Sequence, residues 1–165
     1  LAHIEEAAEQ QTLQEQIEAK QAEDRARKLA EQQLREHNTA RVNGVLNILT
    51  DRIGKTRYVF SGSTPGGWDC SGLVVWAYGE LGIELEHRAS KQQHAGVQVN
   101  EPKPGDIVVF IYNGRKSAYH VGIYVDSDTM IHAGGGRGDA TELASISKFA
   151  GKHSTITYRR LLQTS

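Results

Sequence analysis

The spacing of hydrophobic positions changes along this chain, and the change divides it. Across residues 1–37 apolar side chains are few, with Ile4, Leu13, Ile17, Leu29 and Leu34 scattered among Ala, Gln, Glu, Lys and Arg. These are good helix formers without a continuous apolar stripe, so the pattern predicts one long, solvated helix. A heptad frame through Leu13 and Ile17 next places Lys20 and Asp24 on the seam, which argues against a long autonomous coiled coil. Asn38 and Thr39 are cap-type residues, and beyond them Val42, Val45, Leu46, Leu49 and Ile53 share a helical stripe ending at Gly54. The pattern therefore predicts a break near residue 38 and a first helix of a globular part after it.

A glycine-rich loop over residues 61–67 precedes a second helical pattern, residues 70–81, with Leu73, Val74, Ala77, Tyr78 and Leu81 apolar and Gly82 as its stop. Downstream the period shortens. Residues 106–112 form a continuous apolar run, the pattern of a strand buried on both faces. Residues 119–126, 129–133 and 155–161 are rich in β-branched or aromatic side chains. Helices first and strands afterwards read as an α+β fold, with N-terminal helices packed on an antiparallel sheet.

Composition sharpens the division at residue 38. The 165 residues leave room for one compact domain and an appendage. All 17 glycines, all three prolines and every aromatic residue lie at or after Gly44, so residues 1–37 are a helical extension or linker and residues 38–165 the domain. The extension holds nine acidic and five basic side chains (−4) and the rest 11 and 14 (+3), giving the net charge of −1. So even a balance gives no reason to expect nucleic acid or an anionic membrane as partner. No apolar run approaches the ~20 residues needed to span a bilayer. The start at Leu1, without Met or a signal pattern, reads as a mature or excised piece.

A single cysteine excludes an internal disulfide framework and leaves either an inert buried thiol or a reactive one. Cys70 falls at a predicted helix N-terminus, where unpaired N–H groups and the helix dipole favour thiolate. Asp69 before it reads equally well as a simple N-cap. Of seven histidines, His3 and His37 lie in the solvated helix, and His87, His94 and His153 in polar, loop-like surroundings. His120 opens one predicted strand and His132 closes the next. A thiol nucleophile needs a base, and the base needs a polar partner to fix its tautomer, so Cys70, His120 and His132 supply one residue for each task. Both imidazoles share a sheet face only if the hairpin between them has an odd connection, such as Asp126 opposite Met130, or a bulge that shifts the register by one. A metal site built from His120, His132 and Asp106 is the weaker alternative, and no metal or cofactor is expected. Residues 134–138 read as a cleft-side loop and not a phosphate cradle, and Arg159-Arg160 as a solvated strand end.

Five ordered blocks carry a resemblance. Arg57-Tyr58-Val59-Phe60, Trp68-Asp69-Cys70-Ser71-Gly72-Leu73, Pro104-Gly105-Asp106-Ile107-Val108, His120-Val121-Gly122-Ile123-Tyr124 and Ile131-His132-Ala133 together resemble the NlpC/P60 family of cell-wall cysteine peptidases, over about residues 40–162. The resemblance implies a circularly rearranged papain-like fold. It also implies cleavage of peptidoglycan stem peptides, commonly between D-glutamate and a diamino acid. Cys70 becomes the nucleophile, His120 the base and His132 the orienting residue, with Tyr58 near the developing oxyanion. Tyr58, Asp69, Ser71, Arg88 and Ser90 become the substrate-binding residues. Ser61 stands where the family usually has glycine, and Glu86-His87 where Pro-Arg is common, on a loop expected to line the cleft. A core tyrosine with an exposed hydroxyl is the alternative reading of Tyr58, and backbone N–H groups at Cys70 and Ser71 could hold the oxyanion without it.

The expected partner is thus bacterial peptidoglycan, met outside the cell or from a phage virion. A longer parent protein or a phage tail assembly would be reached through the N-terminal helix. Amide-forming acyl transfer, deamidation and a non-catalytic wall-binding module are the competing functions, since a thioester can be resolved by an amine as well as by water.

Overall fold

The computed structural model describes residues 1–134 and 139–165. The first element, α1 (Ala2–Asp51), is a single uninterrupted helix of 50 residues. The break expected at Asn38 and Thr39 is absent. The Thr39 hydroxyl donates to the Arg35 carbonyl one turn back, at 2.8 Å, which satisfies it inside a helix without capping one. The chain forms two compact units, residues 1–39 with 164–165, and residues 40–163.

In the first unit the helix is almost wholly exposed, Leu13, Ile17, Leu29 and Leu34 included. Polar pairs one turn apart run along it: Gln11 to Glu15, Gln14 to Glu18 and Gln32 to Glu36, with Arg27 between Asp24 and Glu31. Each such pair contributes only ~0.2–0.5 kcal/mol, so propensity and these contacts together hold a solvated rod. No helix is long and apolar enough to cross a membrane among the described residues.

In the second unit Val42, Val45 and Leu49 of the same helix become buried. Gly54 closes it in the left-handed region (φ 78). A two-stranded ribbon, β1 (Ser63–Thr64) and β2 (Gly67–Trp68), leads into α2 (Cys70–Glu80). A short α3 (Ala89–Gln92) follows, then β3 (Val97–Val99), β4 (Ile107–Tyr112), β5 (His120–Asp126), β6 (Thr129–Ala133), β7 (Thr141–Ser145), α4 (Ile146–Ala150) and β8 (Ser154–Arg160). The sheet order is β3-β8-β4-β5-β6-β7, and every neighbour pair is antiparallel. The α+β expectation holds.

Alternation along the central strands builds two cores. Val109, Val121, Ile123, Ile131 and Ala133 join Leu73, Val74, Ala77 and the buried residues of α1 on one face. Val108, Phe110, Tyr124 and Met130 join Ile146 and Ala150 of α4 on the other. That explains the continuous apolar run in β4, whose first four residues are all buried. Arg160 is not the solvated residue its position suggested: it pairs with buried Asp106 at 2.8 Å. Arg159 donates to the carbonyls of His94, Ala95 and Gly96. Asp106, once a metal-ligand candidate, is thereby committed to tying β4 to β8.

Candidate active site

Asp69 organises the start of α2. Its backbone is extended (φ −93, ψ −174), its Oδ1 accepts the Gly72 N–H at 2.8 Å, and its carbonyl accepts the Leu73 N–H at 3.0 Å. The N-cap reading is therefore correct. The same carboxylate also accepts from the Ser61 N–H at 2.8 Å, the Ser71 hydroxyl at 3.3 Å and His87 Nε2 at 2.7 Å. Ser61 reaches it from the left-handed region (φ 63), a conformation that glycine adopts without steric cost.

Cys70 occupies the first turn, with the N–H groups of Ser71, Cys70 itself and Val121 directed at its sulfur. Those donors pull the thiol toward ionisation, as the helix terminus predicted. Burial outweighs them, and the Asp69 charge adds to it, so the thiol lies above its ordinary pKa. The group at rest is thus a neutral thiol, in place of the thiolate expected from helix position alone.

An open cleft of about 360 Å³ meets Cys70. Tyr58, Asp69, Ser71, Arg88 and Ser90 all line it, together with Phe60, Ser61, His87 and Tyr119. Each residue assigned to substrate binding from the sequence therefore faces the same space as the thiol. The Tyr58 hydroxyl is held protonated, first by desolvation and then by the neighbouring Cys70 and Asp69. His87, set aside earlier as a loop residue, is a wall of the cleft. Gln92 fastens that wall, donating from one amide group to the carbonyls of Ser71 and Glu86.

The imidazoles come together through a β-bulge. Ile123 opposes Ile131 and Tyr124 opposes Met130, but Asp126 opposes Thr129, so the register shifts by one between Tyr124 and Asp126. Continuing the ladder sets Gly122 across from His132 and keeps His120 on the same face. A Cβ on Gly122 would stand 2.9 Å from Met130 Sδ and 3.2 Å from His132 Cβ. Glycine is what lets the second ring fold over the strand.

His120 Nε2 lies 2.7 Å from His132 Nδ1, and His132 Nε2 lies 3.0 Å from Glu142 Oε1. Phe149 of α4 stands over both rings, at 4.5 Å from His120 and 5.2 Å from His132 between centroids. Phe110 packs at 5.8 Å from His120. This apolar enclosure lowers the His120 pKa to about 3, with His132 opposing a second positive charge. Desolvation lowers His132 as well, against the upward pull of Glu142. Both rings are therefore neutral at ordinary pH.

Cys70 meets β5 at the Val121 amide, one residue beyond His120. Among the described residues no hydrogen bond joins the thiol to either imidazole, a common condition before substrate closes the geometry. Also among the described residues, no group of three His, Cys, Asp or Glu side chains is placed to hold a metal. Both nitrogens of His132 are engaged by protein groups. The glycine-rich segment at residues 135–138 lies outside the described residues. Sequence reading missed Glu142 and Phe149: both belong to short elements without a periodic signal.

The family model for the NlpC/P60 family matches residues 54–160. The chain belongs to the NlpC/P60 family. Among relatives of this NlpC/P60 chain, the murein DD-endopeptidase MepH of Escherichia coli is 35% identical over 123 residues, 71% of this chain and 45% of its own. The bifunctional muramidase/DL-endopeptidase CwlT of Bacillus subtilis is 41% identical over 81 residues, 46% of this chain and 24% of its own. The curated relatives are longer, and the chain spans between about a fifth and about half of several of them. The NlpC/P60 domain of the peptidoglycan hydrolase SagA superposes with a TM-score of 0.61 at 25% identity, covering 72% of this chain and 98% of that one.

Proposed function

We propose that this domain is a peptidoglycan hydrolase, a thiol endopeptidase that cuts stem peptides of the bacterial cell wall. The observation that carries the reading is one arrangement. A cysteine at a helix N-terminus opens on a cleft that Tyr119 also lines and meets the Val121 amide, so it touches the chain on both sides of His120, a buried, neutral ring whose bond to His132 leaves its Nδ1 unengaged among the described residues. MepH is a murein DD-endopeptidase, CwlT a muramidase and DL-endopeptidase and SagA a peptidoglycan hydrolase, and these activities support the substrate class.

In this mechanism Cys70 gives its proton to Nδ1 of His120 as its sulfur attacks the scissile carbonyl. Negative charge then develops on the carbonyl oxygen. The N–H groups of Cys70 and Ser71, which the Asp69 cap does not consume, and the Tyr58 hydroxyl are the candidate donors to it. His120 returns the proton to the leaving amine, leaving a thioester on Cys70. It next takes a proton from water, which releases the new carboxylate and restores the thiol. We assign the scissile bond to the link between D-glutamate and the diamino acid, and the site of action to the wall outside the cytoplasmic membrane. Residues 1–37 would connect the domain to a longer parent, secreted or carried on a phage tail.

The test is mass spectrometry of purified peptidoglycan fragments after incubation in ¹⁸O water with wild type and Cys70→Ala. New fragments carrying one ¹⁸O at the freed D-glutamyl carboxyl, absent with Cys70→Ala, are expected. Unlabelled transfer products would replace hydrolysis by acyl transfer, and an unchanged fragment pattern would remove the enzymatic reading.

A further inference from the structure

Glu142 stands on β7 directly across from His132 on β6, in a ladder that also pairs Thr129 with Ser145, Met130 with Ala144, Ile131 with Leu143 and Ala133 with Thr141. This register is held by five pairs, and Thr141 is further anchored by accepting the Trp68 indole N–H at 2.8 Å. Glu142 is therefore presented to the imidazole by rigid backbone. Its side chain is 56% exposed while that of His132 is 2% exposed, so the carboxylate stays in contact with water as it touches a buried ring. Asp139 also lies near Gly134 in this corner, but Glu142 is the carboxylate within hydrogen-bond distance of His132.

A carboxylate accepts hydrogen bonds and has none to donate. His132 must then carry its hydrogen on Nε2, which leaves Nδ1 bare in the neutral ring. A bare Nδ1 at 2.7 Å accepts from His120, so His120 carries its hydrogen on Nε2. The lone pair of His120 is consequently on Nδ1, the nitrogen that makes no hydrogen bond among the described residues. Reversing the first bond reverses every later one. With its hydrogen on Nδ1, His132 would donate to His120 Nε2, place the His120 hydrogen on Nδ1 and leave the thiol no base.

We propose that Glu142 is a positioning residue of this centre, setting through His132 which nitrogen of His120 is free to take the Cys70 proton. The proposal rests on the thiol-peptidase reading for its purpose, but not for its test. A carboxylate in this role is distinguishable from one that merely occupies a strand position, because the role needs an acceptor and not a particular volume or charge.

The experiment uses the full chain and two readouts that need no cell-wall substrate. Long-range ¹H–¹⁵N correlation spectra of the imidazoles, recorded near pH 7, report the tautomer of each ring. The rate of Cys70 alkylation by iodoacetamide reports the delivery of its proton to a base. Wild type is expected to show His120 and His132 both as Nε2–H tautomers. Glu142→Ala should mix the tautomers of both rings and slow alkylation about tenfold. Glu142→Gln, which keeps an acceptor oxygen and loses the charge, should retain the wild-type tautomers and alkylate within about threefold of wild type. Wild-type tautomers in Glu142→Ala would overturn the proposal whatever the rate, as would mixed tautomers with an unchanged rate. Absence of peptidoglycan cleavage by wild type would sink the functional reading and leave both readouts unaffected.

Discussion

His120 titrates in an apolar box, and the box has consequences at the level of single residues. Its folded-state pKa of about 3 lies below the ~6.5 of an unfolded-chain histidine. Below pH 6.5 the unfolded chain therefore binds the extra proton more readily. The stability due to keeping this ring neutral is complete above pH 6.5 and is lost as pH falls toward 3. By pH 5 the loss amounts to about 2 kcal/mol at ~1.4 kcal/mol per pH unit, which urea unfolding of wild type and His120→Gln at pH 7 and pH 5 would detect as a larger decline in wild type. The acid limb of kcat/KM should likewise have no inflection near 6.5 and fall only well below pH 5. At the other end, burial raises the Cys70 thiol, so its alkylation rate should still climb above pH 8 instead of levelling off. His87 Nε2 hydrogen-bonds the Asp69 carboxylate, whose charge opposes Cys70 ionisation. His87→Ala should slow alkylation by about threefold, equivalent to under ~1 kcal/mol. The chemical types at Cys70, His120 and His132 were legible from the residues themselves, but the state of the thiol was not, because burial is a property of the folded neighbourhood.

At the scale of elements, the long periodic segments were readable and the short ones were not. The helix beginning at Cys70 and the strands β4, β5, β6 and β8 carry enough alternation or apolar length to stand out. β1, β2 and β3 run two or three residues, and α3 and α4 four and five, too short for either period to repeat, while β7 equals β6 in length but has no comparable apolar content. Glu142 sits in β7, so its partnership with His132 depends on a β6–β7 register that no local pattern encodes. The bulge after Tyr124 was inferable only as a requirement of sharing a face. Cap residues misled at Asn38 and Thr39, where flanking helix formers on both sides carry the helix through. Close packing at the start of α2 gives a sharper test. A Cβ on Gly72 would overlap the Gly62 carbonyl oxygen and come within 2.9 Å of Asp69 Oδ1. Gly72→Ala should lower stability by about 2–3 kcal/mol and reduce turnover with it, measurable as a fall in Tm, while Gly79→Ala, with open space around it, should not destabilise.

For the whole molecule, the division into an extension and a domain rests on where burial begins. Neither core includes a residue before Val42, so deleting residues 1–37 should leave a folded domain with an unchanged cooperative unfolding transition. Its cleavage rate should stay within about threefold of the full chain, under ~1 kcal/mol in barrier. A hundredfold gain would mark the extension as inhibitory. The central claim, a sulfur nucleophile served by a neutral imidazole, concerns the chain as an enzyme and is tested most directly by turnover of Cys70→Ser on purified peptidoglycan, with Tm measured in parallel. An alcohol is far harder to ionise than a thiol, and a neutral imidazole base does not make up that difference. The variant should keep the wild-type Tm within a few degrees and lose nearly all cleavage. Cleavage by Cys70→Ser at the wild-type rate would contradict the thiol mechanism.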